Sequence, residues 1–229
     1  TFTTYQSRVR FRNGVVGVVA SRIPPEKLSA GGYKRYTDCY IDIGLHSKEE
    51  VLKYVDVGDV ACYEGPYTEL APGYITAKAI DDRIGCAVMV ALLELIDNPR
   101  QDVPLISVLR SPVFGFTPDR LAEIRSKTPT GDYYDAVAAD GGEDCQAFLD
   151  ALAGLRLAAR DMSVHRLVWH IYDQLNVLGV FGAMDHGAER RENLIALSQH
   201  AEKFESGGCR GLFAFVTQLR RLLDQDQAP

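Results

Sequence analysis

At 229 residues, with 46% hydrophobic and 24% charged side chains, the chain has an ordinary globular composition and can bury a core, as one large domain or two small ones. A formal net charge of -6 argues against a surface that binds nucleic acid over the whole molecule, while leaving room for a local basic patch. No apolar run reaches the roughly 18 residues of a membrane span, and Thr1-Phe2-Thr3-Thr4-Tyr5 lacks the basic-then-apolar order of a signal peptide. The start has no initiator methionine, so a fragment or a loss of upstream residues is expected. Cys39, Cys62, Cys86, Cys145 and Cys209 are odd in number, widely spaced and free of any C-x-x-C pair. They read as free thiols of a cytoplasmic protein.

The first stretch has the pattern of strands. Val9-Arg10-Phe11-Arg12 alternates, Asn13-Gly14 supplies a hairpin turn, and Val15-Val16-Gly17-Val18-Val19 returns. Ile23-Pro24-Pro25 to Gly31-Gly32 reads as a loop, and Cys39-Tyr40-Ile41-Asp42-Ile43 as another strand. Ser47-Lys48-Glu49-Glu50 has the spacing of a capping box and opens a short helix that Gly58 closes off. Two further strands are expected over 59–63 and 73–79. A long apolar helix then runs from Asp82 through Cys86, Val88, Val90, Leu92, Leu93 and Leu95.

Beyond Asn98-Pro99-Arg100-Gln101-Asp102 the pattern turns helical. Thr117-Pro118-Asp119 is a helix start, a capping hydroxyl followed by proline at the first helical position. Four apolar stripes follow at helical spacing: Phe148, Leu149, Leu152, Leu155, Ala159; Val164, Leu167, Val168, Ile171, Tyr172, Leu175; Leu194, Leu197, Ala201, Phe204; and Phe213, Val216, Leu219, Leu223. No strand alternation is seen after about residue 109, and the polar tail Asp224-Gln225-Asp226-Gln227 reads as frayed. The fold class expected is α+β, a small β-barrel-like half over 1–95 that ends in one helix, then an all-helical half over 96–229.

Lys78-Ala79-Ile80-Asp81-Asp82-Arg83-Ile84-Gly85 sets two carboxylates at a strand end just ahead of a helix. Aspartate at a helix start is favourable without any metal, because it complements the exposed N–H groups. The neighbours add a second reading. Gly14-Val15-Val16-Gly17-Val18-Val19-Ala20-Ser21, Tyr40-Ile41-Asp42-Ile43-Gly44, Ser47-Lys48-Glu49-Glu50-Val51, Val57-Gly58-Asp59 and Lys78 to Arg83 with Gly85-Cys86-Ala87 come in one order. In that order, residues from about 8 to 95 resemble the dinuclear-metal glutamyl aminopeptidases that form tetrahedral particles, also filed as endoglucanase-like.

That resemblance implies a β-barrel inserted in a catalytic domain and important for assembly, so self-association through the β-rich half is implied as well. It makes Asp81 the ligand that bridges zinc or another divalent metal, with Asp82 as its orienting neighbour. It also requires a His-x-Asp ligand pair ahead of the barrel and a Glu-Glu pair, base and ligand, after the bridging aspartate. The chain begins too late for the first. At the second it reads Leu109-Arg110-Ser111-Pro112-Val113-Phe114, and its only Glu-Glu, Glu49-Glu50, lies in the barrel helix. A catalytic zinc needs about three protein ligands and an open position. No complete cofactor site and no aminopeptidase activity are expected.

From about residue 96 to 225 the chain resembles another family. The motifs are Ile96-Asp97-Asn98-Pro99-Arg100-Gln101-Asp102-Val103-Pro104-Leu105, Val108 to Phe116, Leu121-Ala122-Glu123-Ile124-Arg125, Leu167-Val168-Trp169-His170-Ile171-Tyr172-Asp173, Arg191-Glu192-Asn193-Leu194, and Phe204-Glu205-Ser206 with Arg210-Gly211-Leu212-Phe213. Together they resemble the AddA subunit of bacterial ATP-dependent helicase-nucleases, which process DNA ends. The resemblance places this stretch in an accessory helical region of the second motor domain.

No G-x-x-x-x-G-K-[ST] phosphate loop is present, and the acidic and cysteine residues of the nuclease are absent, so neither ATP-driven unwinding nor cleavage is expected. Arg156, Arg160 and Arg166 could contact DNA phosphates weakly, although a solvated face diluted by Asp150 and Asp161 explains them as well. His165, His170 and Trp169 read as a half-buried helix face rather than a metal or stacking site. The two resemblances meet near Leu93-Glu94-Leu95-Ile96-Asp97, which makes the chain a composite of two family fragments, non-catalytic as it stands. The inherited alternatives are a helicase-nuclease fragment and a metal-dependent aminopeptidase fragment.

Overall fold

The computed structural model describes residues 7–23, 38–78 and 80–224. The expected loop from Pro24 and the polar tail beyond Asp224 lie outside them. The chain packs as two units divided between Ile80 and Asp81.

The first unit holds strands β1 (Arg8–Phe11), β2 (Val16–Ser21), β3 (Cys39–Asp42), the single helical turn α1 (Lys48–Val51) and β4 (Ala61–Tyr63), then β5 (Thr68–Glu69) and β6 (Ile75–Thr76). Alternation in β1 buries Val9 and Phe11 and leaves Arg8 and Arg10 exposed. The Asn13-Gly14 turn closes as its residues demand. Gly14 sits at φ +92°, and Phe11 donates its N–H to the Val15 carbonyl at 2.8 Å.

The strands form an antiparallel sheet in the order β3-β2-β1-β4, with Val9 opposite Gly17 on one side and Tyr63 on the other. A side chain at Gly17 would stand 3.0 Å from the Asp42 carbonyl, so glycine is what lets β3 lie close. Both Arg8 and Arg10 pair with Glu64. β3 and β4 are the sheet's edges, and no pairing joins them among the described residues. The described residues of the β-rich half thus form a four-stranded antiparallel sheet plus a β5–β6 hairpin. At the capping box, Ser47 Oγ accepts from the Glu50 N–H and its hydroxyl donates to Glu50 Oε2 at 3.0 Å, so the carboxylate answers the hydroxyl rather than the backbone.

The second unit carries the rest: α2 (Ile80–Asp97), α3 (Asp102–Arg110), α4 (Pro118–Lys127), α5 (Tyr133–Asp140), α6 (Glu143–Ala158), α7 (Val164–Gln174), α8 (Val177–Gly182), α9 (Gly187–Ser206) and α10 (Leu212–Asp224). Its core is one cluster drawn from every one of these helices. Met89, Leu92, Leu93, Leu95 and Ile96 of α2 sit in it beside Leu105, Ile124, Phe148, Ile171, Phe181, Leu194 and Phe215. By contrast Val9, Phe11 and Val19 are the buried apolar residues described in the first unit.

Three helices go beyond what the sequence leads one to expect. α3 contains Pro104, which falls in the first turn, where no N–H is needed. α5 is short and α8 carries two glycines, so neither has a strong stripe. The fourth stripe is corrected at one place: Phe213 is 70% exposed, and α10 faces inward with Leu212, Phe215, Val216 and Leu219. Capping also comes from afar. Ser163 makes no side-chain cap at α7; the Glu205 carboxylate accepts from the Val164 and His165 N–H groups at 2.7 and 3.2 Å.

Arg100 follows α2 and is held at 2.8 Å by Asp132 and 2.9 Å by Asp135, while Lys78 is exposed. Limited trypsin digestion is therefore expected to cut after Lys78 and leave α2 within a resistant helical fragment. A first cut after Arg100, releasing α2 from that fragment, would contradict the shared core.

Candidate functional site

Three groups of polar residues in the helical unit could carry chemistry. The first begins with Asp81, in the first turn of α2. Its carboxylate accepts from Arg190 at 2.5 Å, and Arg190, from α9, is itself buried and also donates Nε to the Asp185 carbonyl at 2.8 Å. Gly85, one turn on, makes way for Phe181 of α8: an added Cβ would meet its ring at 3.3 Å. Burial pushes the Cys86 thiol up to about 11, so it stays protonated and unreactive at neutral pH. The side chain of Asp82 lies outside what the structure describes. No second carboxylate, imidazole or thiol joins Asp81 in a three-ligand group among the described residues.

The second group carries no motif in the sequence. Asp140 ends α5 and Asp144 lies in the first turn of α6, across the Gly141-Gly142 turn, with Gly141 left-handed at φ +70°. Their oxygens and the Cys145 sulfur lie within 4.8 Å of one another, close enough to suggest a cation site. An arginine already fills it. Arg120 of α4 pairs with Asp140 and donates Nε to Asp144 at 2.7 Å, and Lys127 reaches Asp140 at 2.9 Å.

The Arg120 guanidinium holds the Asp144 carboxyl down at about 2, and Arg120 with Lys127 holds Asp140 well below the usual carboxylate range. Burial, followed by the Asp144 charge, pushes the Cys145 thiol up to about 12, which makes it a poor metal ligand. A cation would have to displace two basic side chains and deprotonate that thiol. The group is a clamp joining α4, α5 and α6. Sequence offers one clue, the Asp-Gly-Gly-Glu-Asp run, but its partner lies twenty residues away.

The third group is basic. Arg156 and Arg160 line a cavity of about 390 Å³ with Tyr134, Leu152, Ala153 and Leu157. Arg166 is exposed on α7 and takes no part in that lining. The neighbouring His165 and Trp169 behave as helix-face residues: His165 Nδ1 lies 3.0 Å from the Ser198 carbonyl, and Trp169 stacks edge-on against Tyr172.

Comparison with known proteins divides along the same chain. The family model of M42 glutamyl aminopeptidases matches residues 3–111. Curated relatives are of another kind. The AddA protein of the ATP-dependent helicase/nuclease of Lactobacillus johnsonii is 40% identical over 136 residues, covering 57% of this chain and 11% of that protein. Its counterpart in Lactobacillus acidophilus is 35% identical over 186 residues, 75% of this chain and 15% of that protein. The chain is similar to two families. It spans only a small part of the helicase/nuclease proteins it matches.

Among solved structures, an aminopeptidase of the archaeon Desulfurococcus kamchatkensis is 39% identical, covering 41% of this chain and 26% of its own, at a TM-score of 0.34. A match spanning 75% of the chain must include part of 3–111 wherever it lies, so the aminopeptidase-like and helicase-nuclease-like matches overlap.

Replacing Arg120 by methionine removes the main partner of a carboxylate that is 1% exposed, and is expected to cost about 3 kcal/mol in urea unfolding. Because both aspartates have lowered folded-state values, their contribution is present above the unfolded value near 4 and is lost as pH falls toward 2 and below. Stability against pH should flatten in that window in Arg120→Met; an unchanged slope would mean the clamp does not form.

Proposed function

We propose that the chain is a composite of an aminopeptidase-like and a helicase-nuclease-like fragment, joined within α2, and that it works without catalysis. The observation that carries this reading is the ion pair of Asp81 with Arg190. The aminopeptidase resemblance assigns Asp81 to a bridging metal, yet its oxygen is engaged by a guanidinium supplied from the helicase-like half. A cation of fixed charge already occupies that oxygen, and the Glu-Glu pair is replaced by Arg110-Ser111 and neighbours. That Asp81, 67% exposed, shares no three-ligand group among the described residues supports a role outside a dinuclear centre. Its resident role is to neutralise a buried arginine.

The same reading assigns the β-rich half to self-association, in keeping with its exposed Tyr54, Val57, Val60, Tyr67 and Tyr74. The cytoplasm suits its five unpaired cysteines. No helix among the described residues is long and apolar enough to cross a membrane. A second reading, weak contact with DNA by the helical half, is favoured by the 40% identity to a helicase/nuclease protein and by Arg156 and Arg160 on one face.

Calorimetric zinc titration of the intact chain and of Asp81→Ala is expected to give the same weak binding, and neither should hydrolyse aminoacyl anilides. Tight zinc binding lost on that substitution would sink the proposal. In metal-free buffer Asp81→Ala should lower stability by at most about 1 kcal/mol, since Asp81 is mostly exposed and Arg190 keeps its bond to the Asp185 carbonyl. An empty metal site would instead be relieved by losing a carboxylate.

A further inference from the structure

We infer that Asn13 is a deamidation site that the fold keeps unreacted, and that its conversion to a carboxylate releases the β1–β2 hairpin from the segment after α1. Of the four asparagines in the chain only Asn13 precedes a glycine; the others precede Pro99, Val177 and Leu194. In the reaction the Gly14 nitrogen attacks the Asn13 Cγ and closes a succinimide ring. The Cγ–Nδ2 bond breaks, and ammonia leaves with the proton that Gly14 gives up. Water then opens the ring on either side, so asparagine and water become aspartate or isoaspartate and ammonia. Glycine leaves its nitrogen unshielded, and nothing lies within 4 Å of where a Gly14 Cβ would stand. Both residues are exposed to the water that the reaction needs.

Four hydrogen bonds hold the reacting groups. Asn13 Nδ2, the leaving group, donates to the Tyr54 carbonyl at 2.6 Å, and Asn13 Oδ1 accepts from the Val15 N–H at 3.1 Å. One donor and one acceptor thus fix the amide plane. Gly14, the nucleophile, donates its N–H to the Phe11 carbonyl at 2.9 Å, and Arg10 Nη1 donates to the Gly14 carbonyl at 3.3 Å. Ring closure needs that N–H removed and Cγ turned onto the nitrogen, so it proceeds from an opened turn. The Tyr54 contact also gives the product its consequence. It joins residues 41 apart, tying the hairpin tip to a turn that runs on from α1, where Tyr54 donates to the Val51 carbonyl at 3.0 Å. A carboxylate at position 13 has no proton to give, and its oxygen faces the oxygen of Tyr54. Isoaspartate also lengthens the backbone inside a turn that Phe11 and Val15 close at 2.8 Å. The change runs one way, so it records time spent open.

The test is incubation of the intact chain in mildly alkaline buffer beside a synthetic peptide of residues 9–21, with mass-spectrometric mapping of position 13 over time. The chain should deamidate about tenfold or more slowly than the peptide, the factor set by first opening one or two net hydrogen bonds. Chain that has reacted is separated by its added negative charge. Trypsin should cut it after Lys53, beside the Tyr54 tie, about threefold or more faster than unreacted chain, with cutting after Lys78 unchanged. Asn13→Asp should show the same gain; if that variant does not fold, chain aged in its native state supplies the comparison. A chain that deamidates as fast as the peptide would overturn the restraint. A peptide that keeps its asparagine would overturn the site itself. Cutting after Lys53 left unchanged by the reaction would overturn the release of the hairpin.

Discussion

The apolar surface of α2 constrains the rest of the molecule. Met89, Leu93 and Leu95 are fully buried and Leu92 and Ile96 nearly so, which no helix attains on a single partner. The helices after it provide that cover, with Phe181 against Gly85, Arg190 on Asp81, and Arg220 on Glu94 at 2.7 Å. These three contacts come from α8, α9 and α10, far along the chain. The helix that carries the Asp81-Asp82-Arg83 motif is thus the first element of the core of the helical unit.

Burial of that kind asks only for volume and apolar character, which many helices can supply. An aminopeptidase helix and a helicase helix with leucines in similar places can substitute for one another without leaving a void. Chemistry tolerates exchange less well than packing does. A metal centre needs several ligands from separate elements held to a fraction of an ångström.

Charge in the helical unit is used mainly to hold helices together. Arg120, Lys127, Asp140 and Asp144 lock α4 to α5 and α6, Arg100 ties the end of α2 to α5, and Arg125 stacks over Tyr133, 4.9 Å from its ring centre. Arg156 and Arg160 lie outside this pattern, beside the apolar surface of Leu152 and Leu157. A cluster of acids with a cysteine looks from its spacing like a cation site, and its partners define it as structural. Two arginines that look like an ordinary wet helix face gain a neighbour in Tyr134 that sequence spacing could not disclose.

Local rules settle much of this protein without help from the fold. The Asn13-Gly14 hairpin, the Thr117-Pro118 helix start and the four apolar stripes depend on neighbours within one or two turns, so they are legible residue by residue. The exceptions fall where distant contacts decide: Phe213 is turned outward while Phe215 enters the core, and α7 is capped by Glu205 from α9. The candidate sites are less legible still. Sequence points to Asp81, Arg156 and Arg160, but the partner that neutralises the first lies on α9 and the aromatic wall beside the other two lies on α5. Spacing along a chain determines which face of one helix a side chain shares. Only the packing of several helices decides whether a charge meets a metal, an arginine or open solvent, because electrostatic energy depends on distances through space.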